Sequence, residues 1–218
     1  MPMPTLYTYC IPVDDGAAPN PFWGLCTLAI CKPAIRRRAK KGDWIVGTGS
    51  KHSPIGNIEN KIVYAMRVSE VLTLEEYDRW TKEHLAQKIP DPKHKDWRRR
   101  LGDSIYDFST TLPTQRISVH NSINEPTDLS GKNALISDYF FYFGNRPRML
   151  PLRLRKIVHQ TQGHRSRMNA PYVLPFLHWL KSLKLQPNRL YGKPSSSSNV
   201  HNCVARSKCA KADLICAC

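Results

Sequence analysis

Leu6 to Ile11 is the first stretch dense in aromatic and β-branched residues, and that composition predicts a strand. A turn-rich loop, Pro12-Val-Asp-Asp-Gly-Ala-Ala-Pro-Asn-Pro, leads to Phe22-Trp23-Gly24. Leu25 to Cys31 is apolar nearly throughout, as in a strand buried on both faces. Pro33 suits the first turn of a helix expected to reach Lys41, with Gly42 ending it. Asp43 to Gly47 reads as a short strand, and Thr48-Gly49-Ser50-Lys51 as a polar loop after it. Ile62 to Val71 alternates as a partner strand should. Thr73 with Glu76 forms a capping box for a helix from Leu74 to about Ala86. Residues 88–100 are basic and Pro-containing, the pattern of an exposed connection. Asn133 to Phe143 carries another strand signal, in which Tyr139 to Phe143 is aromatic at every position. Met149 to His159 and Pro171 to Leu185 predict helices, the second with Val173, Phe176, Leu177 and Leu180 on one face. No internal repeat is present.

Composition narrows the class. A hydrophobic fraction of 41% and 17 Pro fit a loop-rich α+β protein better than a helical bundle. We expect a single α+β domain over residues 1–191 and a flexible Ser-, Cys- and Lys-containing tail over 192–218. No apolar run approaches the roughly 20 residues needed to cross a bilayer. The N-terminus lacks the basic and apolar regions of a signal peptide, so the expected location is cytoplasmic, with no membrane partner. Of 7 cysteines, Cys10, Cys26 and Cys31 lie in apolar surroundings and read as reduced thiols. Cys203, Cys209, Cys216 and Cys218, with His201, lack the paired spacing of a zinc knuckle. Neither a metal nor a cofactor is expected.

Charge changes the picture further. Residues 139–212 contain no Asp or Glu but fourteen Lys and Arg, so most of the net +16 sits in the C-terminal third. A surface of one sign is most readily neutralised by a polyanion, and nucleic acid is the commonest. Gly163-His164-Arg165-Ser166-Arg167 lies inside this acid-free stretch and offers two guanidinium forks with a hydroxyl between them. Gly47 to Lys51 could cradle a phosphate on successive backbone N–H groups, although the Walker A spacing is absent. Phe22 and Trp23, on a loop, either pack inward or present a stacking surface to a base. Asp14-Asp15 and Asp103 are carboxylates equally at home in turns. Cys31-Lys32 with His164 would make a thiol–imidazole pair if they met, but a cysteine in an apolar strand reads as inert. No catalytic assignment follows from these spacings.

Two resemblances add to this reading. Lys41-Gly42-Asp43-Trp44-Ile45-Val46 feeding Ile62-Val63-Tyr64-Ala65-Met66-Arg67-Val68-Ser69-Glu70 resembles small barrels of the PUA, ASCH and EVE type, which bind RNA or modified bases. Residues 18–37, Gly42 to Lys51, Leu135-Ile-Ser-Asp-Tyr-Phe and Gly163-His-Arg-Ser-Arg together resemble the nucleotide modification associated domain 2 family, over about residues 5 to 185. The resemblance implies a small, strongly bent β-sheet or PUA-like barrel with flanking helices. It also implies a DNA base-modification or anti-phage setting, and leaves the reaction open. The expected function is binding of nucleic acid, DNA before RNA, or of a nucleotide, with a modified base held in a pocket. One alternative is an enzyme modifying a nucleotide or base in that pocket; another is a non-enzymatic adaptor for an acidic protein. Candidate base contacts are Phe22, Trp23, Lys32, Trp44, Thr48, Gly49, Ser50 and Lys51. Candidate phosphate contacts are Arg36, Arg37, His164, Arg165, Ser166 and Arg167.

Overall fold

The first strand forms where the aromatic run predicts it: β1, Leu6–Ile11, is buried at all 6 positions. Its side chains divide between two cores, Tyr7, Tyr9 and Ile11 entering one and Leu6 the other. The structure, a computed structural model, describes residues 3–196. β2, Cys26–Leu28, is shorter than the apolar run around it, because the chain bends into left-handed backbone at Cys31 and Lys32. α1, Pro33–Arg36, is a single turn and stops well before Lys41. β3, Trp44–Gly49, takes in two residues expected in a loop. β4, Lys61–Arg67, and β5, Glu70–Thr73, precede α2, Leu74–His84. The capping box is present: Glu76 N donates to Thr73 Oγ1 at 3.1 Å, and Thr73 N donates to the Glu76 carboxylate at 2.7 Å. A small ribbon, β6 (Tyr106–Asp107) and β7 (Thr114–Gln115), comes before α3, Glu125–Ser130. The described residues continue through β8 (Asn133–Ser137), β9 (Tyr139–Tyr142), β10 (Arg148–Met149), α4 (Val173–Ser182) and β11 (Arg189–Leu190).

The larger sheet has the order β1-β3-β4-β9-β11, with β10 against the start of β4. β1 runs parallel to β3 and β11 parallel to β9, while the central pairs are antiparallel. The smaller sheet, β2-β8-β5, is antiparallel. The chain passes between the two sheets twice at one corner, from β4 to β5 and from β8 to β9. There the Ser69 hydroxyl donates to the Asp138 carboxylate, and Asp138 N donates to Ser69 Oγ at 3.1 Å. The single strands expected over 62–71 and 133–143 are therefore each two strands, bent from one sheet into the other.

The architecture is α+β with small sheets, and among the described residues no sheet closes into a barrel. The PUA-like closure expected from the strand grammar does not form, because the outer edge of β1 is already occupied. Thr8 N donates to Arg165 O at 2.9 Å, Arg165 N to Thr8 O at 2.8 Å, and Asn169 Nδ2 to Leu6 O at 2.9 Å. The strands β1, β3, β4 and β9 of the larger sheet are buried on both faces, whereas β10 and β11 are exposed. Phe140 and Tyr142 join Tyr9, Tyr64 and Leu135 in one core; Phe141 and Phe143 join Leu154, Phe176 and Leu180 in the other. The α4 stripe of Val173, Phe176 and Leu180 covers that second face.

Two expectations change at the residue level. Gly47 and Gly49 lie in β3 and serve close packing: a Cβ on Gly47 would collide with Ile11 and Tyr64, one on Gly49 with Ile58. Residues 88–100 are no mere exposed connection either, since Lys88 is fully buried. Its Nζ donates to Asn20 Oδ1 at 2.7 Å, Asn20 O at 2.8 Å and Leu25 O at 3.0 Å. Burial lowers its pKa to about 8, with Asp103 opposing.

Asp14 is buried beside Tyr142, whose hydroxyl donates to Asp14 Oδ2 at 2.6 Å. Burial raises its pKa from 3.8 to about 7, against the Tyr142 hydrogen bond. The folded value lies above the ordinary one, so its stabilisation is complete below about pH 4 and lost as pH rises through 7. Asp14→Asn should remove that loss. Denaturant melts from pH 4 to 8 should show wild type falling relative to the variant by at most about 4 kcal/mol; parallel curves would show that Asp14 titrates normally.

Residues 192–196, at the start of the expected tail, run back onto the fold. Asn145 N donates to Lys193 O at 2.8 Å, Lys193 N to Asn145 Oδ1 at 3.1 Å, and Ser196 N to Asp14 O at 3.0 Å. Each bond is worth about 1 kcal/mol. A chain ending at Tyr191 should therefore melt several degrees below one ending at Ser196. Equal melting temperatures would show these bonds to be idle.

Candidate functional site

The segment bound to the edge of β1 brings part of the basic cluster to a cleft. With its backbone fixed at Arg165 and Asn169, Ser166 and Arg167 line a half-open cavity of about 530 Å³. Arg38, just after α1, lines it from the other side, and the floor is the lead into β1, Thr5 to Tyr7. None of its lining residues is acidic. The His164 ring sits against Tyr7, with centroids 5.7 Å apart. Burial pushes the His164 imidazole below its ordinary pKa, and the nearby Arg38 charge pushes the same way. The imidazole is therefore neutral at neutral pH. Burial raises the Tyr7 phenol, with Asp43 adding to the effect.

The other candidates divide between packing and surface. Arg165 belongs to the segment, but its guanidinium turns back to Lys156 O at 2.5 Å. Arg36 has no exposed surface: it donates to Cys31 O at 2.7 Å, Asn133 O at 2.8 Å and Asp128 O at 2.5 Å. Of the Arg36-Arg37-Arg38 run, then, only Arg37 and Arg38 face solvent, and Arg37 reaches Ser130 O at 2.6 Å. Phe22 is buried edge-on to Trp97 at 5.4 Å. Trp23 is half-buried under the Arg98 guanidinium, 4.7 Å from the ring centroid, with its indole Nε1 enclosed and lacking an acceptor. Trp44 is core, edge-on to Tyr139 and Phe176. Thr48 is buried and donates to Tyr9 O at 3.0 Å. Gly49 is packed as described, Ser50 accepts from His52 N at 3.0 Å, and Lys51 pairs with Glu59 at 3.5 Å on the surface. The 47–51 stretch does reach the basic segment's lead, since Gln160 Nε2 donates to Gly49 O at 3.2 Å. Phe22 and Trp23 instead pack with Leu101 and Trp97 in a separate cluster.

A second constellation escaped the sequence reading. The imidazole that meets Cys31 is His120: Cys31 Sγ lies 3.5 Å from His120 Nε2. His120 Nδ1 lies 2.5 Å from Asp128 Oδ2, while Asp128 Oδ1 accepts from Cys31 N at 2.8 Å. Tyr106 completes the group, its hydroxyl donating to Asp128 Oδ2 at 3.1 Å. Cys31 is not part of a strand but occupies left-handed backbone at φ 57°, followed by Lys32 at φ 42°. Each such residue costs about 1–2 kcal/mol without glycine, and must be held there by its surroundings. Asp128 holds the Cys31 N–H and Arg36 its carbonyl. Lys32 itself is half-buried, with Nζ 4.9 Å from the centre of the Tyr9 ring. Asp15 lies close enough for the His120 charge to lower its pKa, although burial, the larger effect, raises it. Asp103 is structural, accepting from Thr27 Oγ1 and Tyr77 OH, each at 2.7 Å.

Cys31, His120 and Asp128 are of metal-ligand type, with donor atoms within 4.8 Å of one another. Both Asp128 oxygens, however, already accept protein hydrogen bonds, so the trio is a relay before it is a ligand set. The tail cysteines and His201 lie outside the described residues.

A model of the nucleotide modification associated domain 2 family matches residues 3–201. No curated protein and no solved structure matches the chain.

Buried Arg36 and cleft-lining Arg38 and Arg167 should respond differently to truncation. Arg36→Met strands three carbonyls and should lower stability by about 3 kcal/mol or more. Arg38→Ala and Arg167→Ala should stay within about 0.5 kcal/mol of wild type. Urea denaturation measures all three, and an Arg36→Met chain as stable as wild type would show the buried guanidinium to be dispensable.

Proposed function

The chain belongs to the nucleotide modification associated domain 2 family, and from that premise we propose that it binds a nucleic acid or nucleotide, with phosphate groups in the Arg38–Arg167 cleft. One observation carries the reading. Two arginines from distant parts of the chain, a serine and Tyr7, against whose ring His164 packs, line one cavity with no acidic lining residue. Arginine is suited to this task because its planar fork matches phosphate oxygens. The Tyr7–His164 pair offers a neutral aromatic edge to a base beside those phosphates. Exposed basic residues of the acid-free stretch, among them Arg148, Arg155, Lys156 and Lys181, add positive surface along which a longer strand would run.

DNA in a base-modification or anti-phage setting is the ligand we favour, following the family's association with such systems. A cytoplasmic location belongs to the same proposal. Among the described residues no helix is long and apolar enough to cross a membrane. The cleft, in place of the Trp23 loop, is where a base or modified base would sit, since Trp23 is already covered by Arg98.

Binding of a labelled oligonucleotide should weaken steeply with salt, each phosphate contact contributing about −0.7 to −0.9 to the slope of log K against log salt. Arg38→Ala and Arg167→Ala should each reduce the slope by about one unit while leaving the melt unchanged. Trp23→Ala should leave affinity alone. Affinity indifferent to salt, or phosphatidylglycerol vesicles competing as well as DNA, would overturn the reading.

A further inference from the structure

Cys31, His120 and Asp128 stand in the order in which a thiol is activated. The carboxylate fixes one imidazole nitrogen and the other faces the sulfur, at 2.5 Å and 3.5 Å respectively. The two ends of this relay are tied to each other, because the carboxylate that aligns His120 also accepts the Cys31 N–H. A cysteine kept only for packing needs none of this. Cys26 shows the contrast: it is wholly buried, and burial drives its thiol far above the ordinary value. Cys31 instead retains 7% exposure, beside half-buried Lys32 and Asp15 and a His120 side chain that is 9% exposed.

We propose that Cys31 is the nucleophile of an acyl-transfer centre acting on an amide or ester carbonyl, with His120 carrying the proton and Asp128 positioning His120. The proposal is independent of the cleft and of what binds there. In the first half-reaction the Cys31 proton passes to His120 Nε2, and the sulfur pair forms an S–C bond as the carbonyl π pair moves to oxygen. Collapse breaks the bond to the leaving amine or alkoxide, which takes the proton from His120. Water then gives a proton to His120 and its oxygen bonds to the thioester carbon. The S–C bond breaks, and the departing thiolate recovers the proton. A carboxylate-oriented imidazole suits this reaction in particular, because a leaving group must be protonated; a thiolate adding reversibly to a carbon has no such need.

The charged or titratable groups around the pair include Asp15, Tyr9, Lys32, Arg36, Tyr106 and, beyond Tyr106, Glu125. Their signs are mixed, and His120 Nε2 lies 3.5 Å from the sulfur.

The test treats the full chain with p-nitrophenyl acetate and maps acetylated cysteines by mass spectrometry. Wild type should release a burst of about one nitrophenolate per chain with Cys31 acetylated, while Cys10 and Cys26 stay unmodified. Cys31→Ala should abolish that burst. His120→Asn should slow Cys31 acetylation at pH 7 by about 100-fold or more. The variant should approach wild type above about pH 9, where the thiolate forms without a base. A second measurement needs no variant: alkylation of wild-type Cys31 by iodoacetamide should already be fast at pH 6–7, while Cys10 stays slow until alkaline pH. Cys31 reacting no faster than Cys10, or a His120→Asn chain reacting like wild type at pH 7, would overturn the proposal. So would stoichiometric zinc whose removal by chelation is required before Cys31 reacts.

Discussion

A guanidinium taken out of water needs acceptors, and each of the three nitrogens of Arg36 has one. Burial lowers its pKa to about 10, with Asp128 opposing, so the group remains charged at neutral pH. Its three carbonyl partners come from the turn after β2, from α3 and from the start of β8. Asn133 returns a bond to the Arg36 carbonyl at 3.1 Å. One side chain therefore fixes where three elements meet. Because Asp128 is among them, the same charge sets the position of the carboxylate that aligns His120 and holds the Cys31 N–H. Packing and chemistry on this side of the molecule share a single anchor.

The other side is organised by an edge. β1 accepts β3 along one flank and the 165–169 segment along the other, so the edge of the larger sheet is engaged there at Leu6 and Thr8. That pairing also explains how residues distant in sequence come to share a cleft. Arg167 stands near Arg38 because its backbone is attached beside Thr8, and Arg38 because α1 is too short to carry it away.

Much of the fold was legible where local physics decides it. The β1 composition, the Thr73–Glu76 box and the α4 stripe all form as their patterns require. Misreadings concentrate where tertiary contacts override local pattern. Nothing local marks Ser69 and Asp138 as the points where strands leave one sheet for another. Gly47 and Gly49 look like loop glycines, yet they are small because Ile11, Tyr64 and Ile58 crowd against β3. Arg36 is indistinguishable from its neighbours in an Arg-Arg-Arg run until the carbonyls it meets are known. Cys31 and His120 are separated by 89 positions, and no spacing links them. The one local hint was Pro33, which places a helix start just after Cys31 and so implies that the strand before it has already ended.

The Ser69–Asp138 corner has a mechanical meaning. Two covalent crossings at one point, bonded to each other, make the sheets behave as a folded plate creased along a single line. Hinging about that crease would have to break the bonds that join the crossings. The cleft lies at the β1 edge of one leaf, and the thiol beyond the end of β2 in the other, so their separation is set by the crease. The stretch from Phe108 to Asn124, which brings His120 to Cys31, is held by Arg116 to Ser104, Tyr106 and Asp78, by Phe108 N to Asp78 and by His120 to Asp128, as well as by the β6–β7 pairing and the packing of Phe108 and Val119. Any displacement of that loop over the frame would therefore have to break polar ties, strand pairing and apolar packing together.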